Sequence, residues 1–502
     1  MARNTLAQSG SVSAALARDR LGVPSVVYFV LAGVAPLTVT AGVVTTAYAV
    51  TGLTSVPAAF IVVGIVLSLF SVGYVAMARH ISNAGAFYAF ISRGLGREAG
   101  VAGALIALLA YNLLQVGLYG ILGPTAESYV QQKTGTDIKW WIWALAAWAL
   151  VTALGLIRVD LSGRVLGVLL TLEVLVIVAL TIDGGLHPAG GHVTFSTLNP
   201  SNLTKGGIGA VIAIAVLGYV GFEQSPVYAE EARDSRRTIP AATYFALAVI
   251  GVVYAAASWV MSIHYGVGNV AKTAASEGPG MLFAMGSDFL NNAGQVLFMT
   301  SLFAAALAFH NACWRYAFSL GREQVLPGSF GRTGVNGVPR SASALQSAVG
   351  LAVILAYAAG GWNPQTDLFF WLGTTGGFGI LVLLALTSIA VVRYFALQPG
   401  EENLWRRVIA PGISVLVLLV MVYLCANNYS LLLGYTSPST PGKVLPSLFA
   451  VAAVIGVGWA LYLRSNRPEV YEVIGLGPEA PTAHSVAAGT NASAASLARE
   501  GA

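Results

Sequence analysis

Twelve separate apolar runs, each 18 to 26 residues long, dominate the 502-residue sequence and limit what the chain can become. They fall at 26–50, 56–77, 101–122, 140–157, 165–182, 208–228, 241–263, 295–320, 342–359, 368–392, 408–426 and 444–463. A helix needs about 20 apolar residues to cross the hydrocarbon core of a bilayer. Lipid leaves no partner for free backbone groups, so runs of this length are helices, not open sheets. Charged residues make up only 9% of the chain, whereas a soluble domain carries about 25%. The expected fold class is therefore an all-α integral membrane protein with twelve transmembrane helices.

The 26 basic residues test that count. With the N-terminus placed in the cytoplasm and twelve spans traversed in turn, all 21 arginines fall on the cytoplasmic side or at that end of a helix. Arg93, Arg97, Arg158, Arg164, Arg236, Arg237, Arg322, Arg340, Arg406 and Arg407 are among them. The five lysines, Lys133, Lys139, Lys205, Lys272 and Lys443, fall outside. Cytoplasmic loops are enriched in positive charge, and one span more or fewer would destroy the separation. The expected location is the plasma membrane, multi-pass, with both termini cytoplasmic. The net charge of +5 then suits anionic lipid headgroups and implies no nucleic-acid partner.

The expected organisation is a cytoplasmic tail over 1–22, a twelve-helix domain over 23–466 and a disordered cytoplasmic tail over 467–502. Residues 1–22 are polar, carry Arg3, Arg18, Asp19 and Arg20, and do not show the charged region, short apolar stretch and cleavage site, in that order, of a signal peptide. The longest loops, near 183–207, 264–288 and 321–340, are too short for an inserted ATPase domain. No phosphate-binding loop, zinc-protease motif or nucleophile elbow occurs, so an enzyme is not expected. Cys313 and Cys425 sit inside apolar runs and read as small buried hydrophobes, with no disulfide, metal site or cofactor implied.

Two runs are interrupted at mid-span. The first contains Gly33, Pro36 and Gly42, and the sixth contains Gly218, Gly221 and Pro226. Proline removes a backbone donor, and glycine lowers the cost of unwinding. The two runs lie five spans apart, as two inverted five-helix repeats would place them. Paired interrupted helices are the best sequence pointer to a transporter's binding site. Peptide groups freed at mid-membrane persist only where they line a cavity or hold a ligand.

Four segments resemble the amino acid–polyamine–organocation (APC) superfamily, over about residues 26–463. After the second run, Gly85, Ala86 and Tyr88 look like the family's Pro-x-x-Gly-Gly-x-Tyr segment, with its proline missing and Ala86 in place of the second glycine. Gly221, Phe222 and Glu223, followed by Glu230, Glu231, Arg237 and Pro240, form the most specific match. Gly321, Arg322, Glu323, Leu326 and Pro327 match a loop after the eighth span, and the first-run Gly/Pro segment is the loosest match. The resemblance implies an amino-acid permease with the LeuT-type five-plus-five inverted repeat. Its repeats would cover about 23–183 and 206–395, with extra helices over about 407–465. It also implies alternating access around a central site, with proton coupling or exchange.

The expected substrate site uses the first-span segment Ala35, Leu37, Thr38, Val39 and Thr40 against Leu217, Gly218, Tyr219, Val220, Gly221 and Phe222. Tyr219 and Phe222 would close over the ligand. Tyr111, Asn112, Gln115 and Tyr119 lie on roughly one face of the third span and would line the cavity. Glu223 and Glu173 are intramembrane acids, which are costly and usually functional. Glu223 would steady the unwound segment and take part in proton coupling. Glu173 falls where the resemblance implies a lysine in some proton-coupled relatives, and would respond to a proton or cation. Thr300 and Ser301 are the hydroxyls a sodium site would use, though such groups more often bond their own helix and sodium is not expected. His310 is a further candidate for coupling. Glu230, Glu231, Arg233 and Arg237 would form a gate with loop arginines, and the glycines at 373–379 would allow close helix approach. Two alternatives stay open: a carrier of amines such as putrescine or ethanolamine, and a non-transporting sensor or membrane-embedded enzyme. The sequence does not give the oligomeric state.

Overall fold

A computed structural model describes residue 16 and residues 19–156, 159–204, 207–334 and 337–480. The side chains of 159–165 and 204 lie outside the described part, as do most of the N-terminal tail, Arg158, Lys205 and residues 481–502. Among the described residues, eleven helices are long and apolar enough to cross a membrane, and Trp140–Gly155 is a shorter apolar helix. No strand occurs among the described residues, and an isolated bridge joins Leu21 to Ala232. The chain is thus a multi-pass helical membrane protein.

Helix α1 (Val23–Val34) is followed by α2, built from Pro36–Thr38, a π-helical turn Val39–Val43 and Val44–Thr51. Then come α3 (Val56–Ala78), α4 (Phe87–Leu95), α5 (Arg97–Thr134), α6 (Trp140–Gly155) and α7 (Val159–Leu186). Helix α8 (Ile208–Tyr219) runs into a 3-10 segment, Phe222–Tyr228, before α9 (Ser235–His264) and α10 (Asp288–Arg322). Helix α11 (Arg340–Gly360) precedes α12 (Leu372–Leu397), which a π-helical turn Pro364–Trp371 leads into. Helices α13 (Ala410–Asn427), α14 (Thr440–Asn466) and α15 (Pro468–Glu472) follow, and a 3-10 turn Gly477–Glu479 comes after them.

Burial separates the centre from the rim. In the apolar window of Val23–Thr51, 89% of residues are buried inside the protein, and in Ile208–Tyr228 83%. The figure is 22% in Thr440–Asn466 and 33% in Trp405–Asn427. The two interrupted helices are therefore the most enclosed, while α13 and α14 turn side chains such as Leu416, Val420 and Val454 outward, where only lipid suits them. Helix α1 packs on α7, α9, α10 and the Phe222–Tyr228 segment, and α5 packs on α4, α10, α12 and α14. The glycines of α12 do permit close approach: a Cβ on Gly376 would stand 2.7 Å from the Ala110 carbonyl oxygen.

The tail expected to be disordered from 467 is ordered up to Ala480. Its Gly475 and Gly477 N–H groups each donate 2.7 Å hydrogen bonds to the buried Glu323 carboxylate, which Tyr88 and Asn83 also donate to. Arg97 donates to the Glu472 carbonyl at 2.9 Å, and Tyr471 to Glu98 at 2.7 Å. A carboxylate buried in this way needs its donors, each worth about 1.5–3 kcal/mol to a charged group. Ending the chain after Arg467 should therefore lower the melting temperature of the detergent-solubilised protein by several degrees. An unchanged melting curve would show that the Glu323 contacts add nothing.

Candidate functional site

The break between α1 and α2 follows from the local sequence. Ala35 adopts φ +52°, and Pro36 has no N–H to give the Ala32 carbonyl. The next two N–H groups turn away from the helix. Leu37 N–H faces the Glu173 carboxyl of α7, and Thr38 N–H donates to Ser301 Oγ of α10 at 3.3 Å. Their helical acceptors would have been the carbonyls of Gly33 and Val34, which are thereby freed. Thr38 Oγ1 also donates to Ser301 Oγ, at 3.1 Å. Glu173 is 1% exposed and stands at the start of α2, where the partial positive charge of a helix N-terminus favours an anion.

The second break lies opposite. Val220 is extended, Gly221 has φ +117°, and the Glu223 carboxylate folds back to accept the Gly221 N–H at 2.7 Å. Its other oxygen accepts from Tyr111 at 3.0 Å, and its carbonyl accepts from Tyr74 at 2.7 Å. A Cβ on Gly221 would stand 2.6 Å from Val34 N and 2.7 Å from Gly33 C. The two unwound segments therefore meet backbone to backbone.

Between them lies a cavity of about 110 Å³. Its walls come from Gly33, Val34 and Ala35 at the end of α1, and from Thr38, Val39, Gly42, Val43 and Thr46 of α2. Leu114 and Leu118 of α5, Ile214, Leu217 and Val220 of the sixth run, and Ala305 and Phe309 of α10 add to them. Phe369, Phe370, Gly373 and Thr374 complete the lining. Val43, Thr46, Phe369 and Phe370 are half-buried, whereas Gly33, Val34, Ala35 and Phe309 are buried. The cavity is thus most exposed toward the far end of α2 and closes toward the face that carries both described chain ends.

That closed face is held by ion pairs. Arg315, fully buried in α10, donates to both Glu231 oxygens at 2.8 and 3.0 Å and to the Asn311 carbonyl at 2.9 Å. Its guanidinium lies over the rings of Trp314 and Tyr228, at 3.9 and 4.5 Å. Arg322 grips both Glu230 oxygens at 2.7 and 2.8 Å, and Glu230 also accepts the Ala84 N–H. Arg20 and Leu21 N–H groups donate to the Glu231 carbonyl at 3.0 Å.

Of the residues expected at the site, Ala35, Thr38, Val39, Leu217 and Val220 line the cavity, and Leu37, Thr40, Gly218, Tyr219, Gly221 and Phe222 do not. Two residues along a helix turn through about 200°, so with Leu217 on the cavity Tyr219 points away from it. Tyr219 donates to the Phe60 carbonyl at 2.7 Å and packs against Tyr254, while Phe222 meets Phe70. Thr40 Oγ1 donates to the Pro36 carbonyl. Thr300 Oγ1 donates to the Leu297 carbonyl of its own helix and stays apart from Ser301's contacts.

On α5 the cavity face carries Leu114 and Leu118, four residues apart, and not the polar set. Asn112 and Gln115 both accept from Gln346 of α11. Gln115 also bonds Tyr119 and His310 Nδ1, and His310 Nε2 bonds Ser343 at 3.0 Å. Asn112, Gln115 and His310 thus join α5, α10 and α11 behind the site, the interhelical role that polar groups often take in membranes. Glu230 and Glu231 pair with α10 arginines rather than loop arginines. Arg233 instead donates to the Asp19 carbonyl, and Arg237 N–H caps onto Asp234. Arg315 was the missed residue; as the one Asp, Glu, Lys or Arg within 295–320, it carried its own signal.

A bundle of membrane-length helices, two of them broken face to face beside a cavity, defines a multi-pass membrane protein of the kind whose interrupted helices mark a transporter fold. The chain belongs to the amino acid permease family, whose sequence profile matches residues 25–470. It is 24% identical over 234 residues to the branched-chain amino acid permease BcaP of Lactococcus lactis subsp. cremoris, covering 46% of this chain and 48% of that protein. It is 25% identical over 395 residues to a probable GABA permease of Pseudomonas aeruginosa, covering 72% and 77%. Over 244 residues it is 27% identical to the lysine-specific permease LysP of the same Lactococcus, covering 44% and 47%. The chain therefore spans about half the length of the two lactococcal relatives.

Proposed function

We propose that this protein is a secondary active transporter that moves amino acids across the cytoplasmic membrane by alternating access. The observation that carries the reading is the meeting of two interrupted helices, at Gly33–Pro36 and Val220–Gly221, beside a cavity that Gly33, Val34, Ala35 and Val220 line. The freed carbonyls of Gly33 and Val34 suit a substrate ammonium. The face bearing Arg315–Glu231 and Arg322–Glu230 is the shut gate, and the end of α2 marks the open one.

In this reading Trp140–Gly155 is a twelfth span. The repeats cover about 23–183 and 206–395, and the helices over about 407–465 are additions to a LeuT-type fold. Both termini lie in the cytoplasm, as the arginine distribution argues. Coupling is to protons or by exchange, with Glu173 as the responsive group, because it stands at the start of α2 beside Ser301. Glu223 steadies the second break through Gly221 N–H. The amine-carrier reading gains no support from the cavity, whose lining includes no carboxylate.

Purified protein in liposomes, offered labelled amino acids with and without an imposed pH gradient at fixed sodium, tests this directly. Saturable uptake that follows the gradient is expected, and a folded protein that takes up nothing overturns the reading. Glu173→Gln, which cannot gain or lose a proton, should flatten the pH dependence of uptake while uptake persists. An unchanged pH profile removes Glu173 from coupling.

A further inference from the structure

Taking the transporter reading as its basis, we propose that the site accepts amino acids with uncharged, apolar side chains of leucine to phenylalanine size, and that Gly42 and Gly373 provide the room for that side chain. The lining holds no Asp, Glu, Lys, Arg or His. Its polar side chains are three threonines, Thr38, Thr46 and Thr374, and Thr38 is already bonded to Ser301. The nearby acids do not face in: Glu223 is held by Tyr111 and Gly221, and Glu173 lies behind the start of α2.

A substrate's own ammonium can be met by the carbonyls freed in the broken backbone. A third charge on the side chain would enter an apolar wall with no partner, and burying an unpaired charge is strongly unfavourable. Sites with this mismatch discriminate far more sharply than sites differing by a methylene, which separate substrates by only about 10–200-fold.

The room is specific. Most glycines in the helices face a neighbour so closely that a Cβ would overlap it, as Gly376 and Gly377 do. Gly42 and Gly373 both line the cavity, yet no heavy atom stands within 4 Å of where their Cβ would be. They are not there for helix packing; a side chain at either position would project into open space. Gly42 lies on α2 and Gly373 on α12, so they bound the cavity from separate helices.

The test is uptake into liposomes by the full chain, using labelled L-leucine, L-phenylalanine, L-alanine, L-lysine, L-glutamate and 4-aminobutyrate. Leucine and phenylalanine are expected to be taken up at least ~100-fold more efficiently than lysine or glutamate. Lysine or glutamate uptake at a comparable efficiency overturns the apolar assignment while leaving the transporter reading intact. No uptake of any of the six by folded protein overturns both. For the glycines, Gly373→Val and Gly42→Val should each lower the phenylalanine-to-alanine efficiency ratio at least ~10-fold, because the added volume fills space the larger side chain needs. If either valine variant fails to elute as a monodisperse peak, Gly373→Ala and Gly42→Ala are read in its place, with a ratio change in the same direction. A ratio that stays at the wild-type value in the folded variants overturns the role of these two positions.

Discussion

Arg315→Met is expected to abolish measurable transport and to reduce sharply the yield of folded protein. Arg315 is fully buried and meets Glu231, itself 2% exposed, through two hydrogen bonds. Removing one partner leaves a carboxylate unpaired in the interior, which costs about 3–5 kcal/mol. That is a large share of the ~5–15 kcal/mol by which proteins are stable. The double variant Arg315→Met/Glu231→Leu separates fold from gate. Replacing a buried ion pair by apolar groups of similar size is often neutral in stability, so the double variant should regain most of the lost melting temperature. It should not regain coupled transport, because the interaction that shuts the chain-end face is gone. Thermal unfolding in detergent and gradient-driven uptake in liposomes give the two readouts. A double variant with normal coupled uptake would show that the pair is only structural.

The sequence made the membrane architecture legible because lipid imposes a length on each apolar run, and nearly every run became a membrane-length helix. The exception, Trp140–Gly155, is shorter than its run because its helix ends at Gly155. The two breaks were legible for the same local reason. Proline at 36 and glycine at 221 act on their own backbone, whatever packs around them. Burial then followed: the runs containing these interruptions are the most enclosed in the bundle.

The faces were less legible. Asn112 and Gln115 were expected at the cavity because polar side chains in lipid invite a functional reading. The helix phase instead sets Leu114 and Leu118 there and ties Asn112 and Gln115 to Gln346. Choice of partner is tertiary information as well. That Glu230 and Glu231 would pair with arginines followed from charge, but their match to Arg322 and Arg315 depends on how α10 passes the 3-10 segment. Residues 467–480 run directly into an Ala-, Ser- and Gly-rich stretch whose composition reads as disordered. Their order comes from Glu323, more than 140 residues away in the sequence, whose carboxylate takes the Gly475 and Gly477 N–H groups.

Gly221→Ala tests the contact on which the site depends, and its expected effect is larger than that of changing the acid beside it. Gly221 holds φ +117°, a conformation costing a residue with a Cβ about 1–3 kcal/mol. The added Cβ would also stand 2.6 Å from Val34 N, and the obstructing atoms are backbone, which cannot swing aside as a side chain can. The two unwound segments must then separate, which misplaces the Gly33 and Val34 carbonyls proposed to meet the substrate. A misplacement near 1 Å can cost about 100-fold in a positioned site. Gly221→Ala is therefore expected to lower uptake efficiency by at least ~100-fold, with the far helices α13 and α14 undisturbed. Glu223→Gln keeps an oxygen for the Gly221 N–H and an amide for Tyr111, so it should retain uptake within about tenfold of the parent, the neutral hydrogen bonds being roughly half as strong. The measurement is labelled leucine uptake for both variants side by side. An alanine at 221 that leaves uptake intact would mean that the segments do not need to touch, and that the substrate is held elsewhere.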